Sequence, residues 1–121
     1  MAGSEFIRHQ DIEILYLDFS YTTSKEEVVQ IVEEAKQLIA NRSPLSVLTL
    51  TNITKAYLDR DISQILKELA VHNKPFVKAG AVIGVTPTRK MIYLTVLFFA
   101  KRKLEICDDL DSAKAWLLLH A

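Results

Sequence analysis

The chain has 121 residues, half hydrophobic and a quarter charged, which fits one globular domain and leaves little room for a second. A chain of this length buries roughly two-thirds of the surface its unfolded form exposes, so its core needs no metal or disulfide staple. Lys plus Arg and Asp plus Glu balance at 15 each. That neutrality argues against a nucleic-acid partner, whose phosphates call for a basic surplus.

Cys107 is the single cysteine, so no internal disulfide can form. It sits among acidic residues, which disfavour the thiolate, and reads as a plain strand residue of a protein from a reducing, cytoplasmic compartment. The start of the chain lacks the basic and apolar stretches of a secretory leader. Gly3-Ser4-Glu5-Phe6 matches what two adjacent cloning sites encode, so residues 1–6 are set apart from a single domain over 7–121. Met91 to Ala100, the longest apolar stretch, is interrupted by Thr95 and is half the roughly twenty residues a bilayer span requires.

In chain order, Ile12 to Phe19 is a β-branched and aromatic run of strand length, and Phe6 to His9 is a candidate hairpin partner for it. Ser24 with Glu27 predicts a capping box. Val28, Ile31, Val32, Ala35, Leu38 and Ile39 then follow at helical spacing on one face. Pro44 stops that helix, because proline disfavours helical geometry in the residue before it. Leu45 to Leu50 reads as the next strand, ending in the polar Thr51-Asn52. A second helix carries Leu58, Ile62, Ile65, Leu66 and Leu69 and closes at His72 to Pro75.

Phe76 to Val85 lacks polar alternation at its centre, as expected of a strand covered on both faces. Thr86-Pro87-Thr88 forms a turn into a third helix, roughly Arg89 to Lys101, which is apolar nearly all the way round. Leu104 to Cys107 is a short last strand. Asp109 or Asp111 then caps a final helix with Ala113, Trp116 and Leu117 inward. The order β-α-β-α-β-α-β-α, with a further N-terminal edge strand, predicts an α/β domain with a central, mostly parallel sheet of four or five strands.

From Asp11 onward, Ile14-Leu15-Tyr16-Leu17-Asp18-Phe19-Ser20, Val47 to Thr54, Lys74-Pro75 through Thr86, and Leu110 to Leu117 carry a resemblance. The chain resembles the STAS-like, anti-sigma-factor-antagonist-like domains, and more narrowly their small stand-alone bacterial members. The resemblance implies a STAS-like fold and a regulatory role exerted on a protein partner. Antagonists of this fold carry a phosphorylatable serine in an Asp-Ser-Ser-Gly-like segment after the second core strand. Here the matching residues, Lys55-Ala56-Tyr57-Leu58-Asp59-Arg60, hold neither serine nor glycine.

Enzymatic signatures are missing from the sequence. His9, His72 and His120 are scattered, Gly80 and Gly84 make neither a dinucleotide fingerprint nor a P-loop, and no nucleophile elbow occurs. Asp108, Asp109 and Asp111 fit a helix start better than a metal site. No cofactor or metal is expected.

In an open α/β sheet, ligands lie beyond the carboxyl ends of the strands. That edge gathers Asp18, Ser20 and Tyr21, then Asn52 and Thr54, then Thr86, Thr88 and Arg89. Arg89 stands near a helix start, where an anion is favoured. The same side chains also suit plain turns.

The sharper feature is the third helix, because a helix apolar on every side has to be covered. Tyr93, Leu94, Leu97 and Phe98 are the candidate surface of a two-fold homodimer. The leading expectation is therefore a non-enzymatic regulatory or protein-interaction domain. A carrier of a small apolar or anionic ligand is second, since the fold also resembles the larger CRAL-TRIO lipid-binding domains; a pocket of at least ~300 Å³ bordered by Met91, Val96 or Phe99 is the mark of such a carrier. An enzyme using Asp18, Asn52 and Arg89 is third.

Overall fold

The structure is a computed structural model that describes residues 3–98 and 103–121, with the side chains of 97 and 98 left aside. Nine elements follow one another: β1 (Gly3–His9), β2 (Ile12–Asp18), α1 (Lys25–Ile39), β3 (Val47–Asn52), α2 (Arg60–Asn73), β4 (Val77–Ile83), α3 (Lys90–Phe98), β5 (Lys103–Cys107) and α4 (Leu110–Leu119). The strands form one sheet in sequence order, with β1 antiparallel to β2 and every other neighbouring pair parallel. This is the α/β arrangement expected of the chain.

Sequence order in the sheet dictates the layers. Crossovers of one hand that step in one direction must all pass over the same face. Leu15, Leu17, Phe19, Val47, Ile53 and Val82 accordingly share one core with Val28, Ile31, Val32, Ala35 and Ile39 of α1 and with Ile62 and Leu69 of α2. After the last strand α4 is free to cover the opposite face. There Ala113 and Leu117 pack with Ile14, Leu48, Leu50, Ala79, Ala81 and Ile83. Small residues at 79 and 81 let α4 lie close on β4.

Helix ends follow local chemistry with one departure from expectation. Ser24 Oγ accepts the Glu27 N–H at 3.2 Å, but the Glu27 carboxylate turns to the amide and hydroxyl of Thr23 rather than to the Ser24 amide. The capping box is thus half formed, because Thr23 offers two donors where the Ser24 backbone offers one. At α4 the box is complete: Asp109 accepts from Ser112 N–H at 2.8 Å, and Ser112 Oγ accepts from Asp109 N–H. Asp59 caps α2 by accepting the Ile62 N–H at 2.8 Å.

These caps titrate. The backbone N–H of Ile62, helped by the Tyr57 hydroxyl, holds the Asp59 carboxyl below its ordinary value. The Ser112 backbone N–H does the same for Asp109. A carboxyl whose folded pKa lies below its unfolded value of about 3.9 stabilises the fold in full above that value. The contribution is lost as the pH falls through the folded pKa. Asp109→Asn still caps but does not ionise, so its loss of thermal stability between about pH 5 and pH 2 is expected to be shallower than that of the parent chain. Melting curves across that range check it.

Two strand boundaries differ from the sequence expectation. The strand expected from Leu45 and ending in Thr51-Asn52 starts only at Val47, because Leu45 adopts φ +52° and turns the chain before the ladder begins. The strand expected over 76–85 ends at Ile83, since Gly84 takes φ +87°. The helix expected over 89–101 is described from Lys90 to Phe98; residues 99–102 lie outside the described residues. It packs mainly on α2. Among its described side chains Tyr93 and Val96 are buried, whereas Met91, Ile92 and Leu94 are exposed. The chain itself therefore covers one side of this helix and leaves another uncovered.

Candidate functional site

The carboxyl edge of the sheet is built from two repeated turns. Asp18 Oδ1 accepts the amide of Ser20 at 3.0 Å and its hydroxyl at 2.6 Å. One strand over, Asn52 Oδ1 accepts the amide of Thr54 at 3.1 Å and its hydroxyl at 2.7 Å. Short polar side chains hold such turns because they reach the backbone two residues on. The two loops are then stitched together: Phe19 N–H donates to Asn52 O, Tyr21 N–H to Thr54 O, and Tyr57 N–H to Thr22 Oγ1. Gly84 presses on the second turn so closely that an added Cβ would stand 2.4 Å from Thr54 N.

The structure thus brings Asp18, Ser20, Asn52 and Thr54 together on adjacent loops, and Asn52 Nδ2 donates to the Tyr16 hydroxyl at 3.0 Å. Burial pushes the Tyr16 phenol up, more than the Asn52 bond pulls it down, with Asp18 and Glu5 adding to the rise. Tyr21 is exposed with φ +58°, and the Lys55 ammonium lies 5.9 Å from its ring centre. Thr86 and Thr88 face each other across 3.2 Å on the surface. Arg89 donates to the carbonyl of Ala56, in the loop that follows β3. These side chains spend their hydrogen-bonding capacity largely on one another and on nearby backbone, which makes a rigid rim.

Cys107 is partly buried at the end of β5, and burial, then the Glu105, Asp108 and Asp109 carboxylates, push its thiol up. Among the described residues no three His, Cys, Asp or Glu side chains are arranged to hold a metal. No helix among them is long and apolar enough to cross a membrane.

Of the residues expected on a contact surface, Tyr93 lies inside its own domain at 4% exposure, Leu94 lies outside, and the side chains of Leu97 and Phe98 fall outside those described. A helix apolar on all sides gives no periodic signal of which side meets the sheet, and the structure turns Tyr93 inward. Met91 and Ile92 take its place beside Leu94 on the outward face, Met91 at 74% exposure.

Beneath α3, and without a signal in the residue pattern, lies a narrow slot between α2, α3 and the sheet, about 70 Å³ in volume and bordered by Phe19, Leu69, Val82, Tyr93, Val96 and Leu104. It is well short of the ~300 Å³ that marks a site for a drug-sized ligand. The Tyr93 hydroxyl is buried and meets the geometry of a hydrogen bond with no group among the described residues. Burial raises its pKa, and the charge of the neighbouring Arg89 guanidinium opposes the rise.

No family model and no curated protein matches the chain. A search of solved structures finds the crystal structure, at 2.25 Å resolution, of an uncharacterized protein of the DUF3478 family with a SpoIIAA-like fold from Shewanella loihica PV-4. It superposes with a TM-score of 0.76 over 97% of this chain and 95% of that one, at 18% sequence identity. A likeness at that identity establishes the fold: the chain is SpoIIAA-like, the STAS-like architecture that its sequence resembles.

Proposed function

We propose that this SpoIIAA-like chain is a non-catalytic interaction domain whose contact surface is the outward face of α3, with a second copy of the chain as its simplest partner. The observation that carries the reading is the exposure of Met91, Ile92 and Leu94 within one turn of the same helix. Clustered apolar side chains of this size mark contact surfaces more often than open surface. The polar carboxyl edge supports the same reading, since its side chains are engaged in holding loops.

A nine-residue helix is only about 13 Å long, and a stable contact covers roughly 800 Å² on each partner. The surface must therefore continue onto a neighbour. α2 supplies it, for α3 packs alongside α2 and Val71 is exposed there. A two-fold contact would then lay α3 of one copy against α2 and α3 of the other.

Leu94→Asp tests this directly. The residue is exposed in the single chain, so the change should alter the melting temperature little. In a dry two-fold contact it would set two unpaired charges against each other. Light scattering over a concentration series is expected to show a dimer of the parent chain at micromolar concentration and a monomer of the variant. A parent chain that stays monomeric throughout contradicts the dimer.

A further inference from the structure

We infer that the slot between α2, α3 and the sheet binds a small molecule with a carboxylate head and a short apolar tail, the carboxylate held between the Tyr93 hydroxyl and the Arg89 guanidinium. Two groups meet at its margin, the Tyr93 hydroxyl that borders the slot and the Arg89 guanidinium beside that hydroxyl. A buried hydroxyl without a partner costs free energy that a hydrogen bond would recover. Tyr93 is such a group, and it borders the slot.

Arg89 is the second. Its guanidinium donates to the Ala56 carbonyl, yet among the described residues no carboxylate lies within 4 Å of it. The charge is partly buried and has no counter-ion among the described residues. Tyr93 N–H bonds to Arg89 O, so the two side chains stand one helical turn apart, on the same side of the helix start. A carboxylate satisfies both, accepting from the hydroxyl and pairing with the guanidinium.

The surroundings fit an anion with a tail. Arg89 borders an open groove of about 480 Å³ on the outside of α2 and α3, where Arg60 and Lys67 outnumber the single carboxylate of Asp59. Arg89 thus stands between the slot and this positively biased approach. The slot is walled mostly by Phe19, Leu69, Val82, Val96 and Leu104, which suit hydrocarbon. A cavity of about 150 Å³ takes benzene, so a slot of about 70 Å³ takes a tail of about three carbons.

Methyl-labelled protein titrated with butyrate, and separately with butyramide, tests the assignment by NMR. Butyrate is expected to shift the methyls of Val82, Val96 and Leu104 saturably, and butyramide to bind about tenfold more weakly. Arg89→Gln should abolish that preference. Tyr93→Phe should weaken butyrate about tenfold while melting no lower than the parent chain, since it removes a buried hydroxyl that is orphaned among the described residues. Absence of a saturable shift at those methyls, leaving water as the slot's only occupant, overturns the inference. Equal binding of acid and amide overturns it too, as does a Tyr93→Phe variant that binds butyrate unchanged.

Discussion

Gly84→Ala is expected to destabilise the fold by about 4 kcal/mol, more than an exposed loop glycine would suggest. The backbone at this residue has φ +87°, a conformation that side chains with a Cβ rarely adopt. The new methyl would also stand 2.4 Å from Thr54 N and 2.7 Å from Thr54 Cα. Those are backbone atoms of a turn fixed by Asn52, so they cannot rotate aside. Gly80→Ala makes the contrast. Its methyl would meet the end of the Leu104 side chain at 2.6 Å and Thr49 Oγ1 at 2.7 Å. Its φ is not positive, and side-chain ends can give way, so about 1–2 kcal/mol is expected. Urea unfolding of both variants checks the ranking. Equal losses would mean that the Gly84 contact with Thr54 does not fix the carboxyl edge.

Phe19→Ala should cost about 4 kcal/mol. The ring is buried at the end of β2, in the core shared with α1 and α2, and it also walls the slot beneath α3. Its removal would enlarge a space already present, and the penalty of a large-to-small change grows with the void left behind. Leu119→Ala is the matched control, since that side chain is 83% exposed at the end of α4 and its loss should fall within about 0.5 kcal/mol. Chemical denaturation of the two measures the difference. A Phe19→Ala loss as small as that of Leu119→Ala would contradict the packing described for this face.

Where sequence spacing carries periodic contrast, it points to the right side chains. The stripe from Val28 to Ile39 in α1 is buried nearly as read, with Leu38 at its margin, and Ala113 and Leu117 turn inward from α4. Three places resisted. The start of β3 depends on a left-handed Leu45 and on bonds from Leu45 and Ser46 to the carbonyls of Pro75 and Phe76, distant partners that no local window contains. α2 begins at Arg60, so Leu58 precedes its Asp59 cap instead of riding on the helix. In α3 nearly every residue is apolar, so periodicity cannot separate the buried Tyr93 and Val96 from the exposed Met91, Ile92 and Leu94.

The site divides in the same way. Asp18, Ser20, Asn52 and Thr54 fall at strand ends by their order in the chain, and topology alone brings them together. The direction of the Arg89 side chain and the slot next to Tyr93 arise from α2, α3 and the sheet jointly. Composition along one segment carries no record of such a space.

Whether a second copy covers the outward face of α3 is read most directly at the Met91 methyl, by the broadening of its NMR signal with a soluble paramagnetic agent at low and at high protein concentration. Strong broadening in dilute solution that fades as the chain is concentrated is the expected result. A methyl that stays equally wet from micromolar to millimolar protein would contradict self-association through this helix.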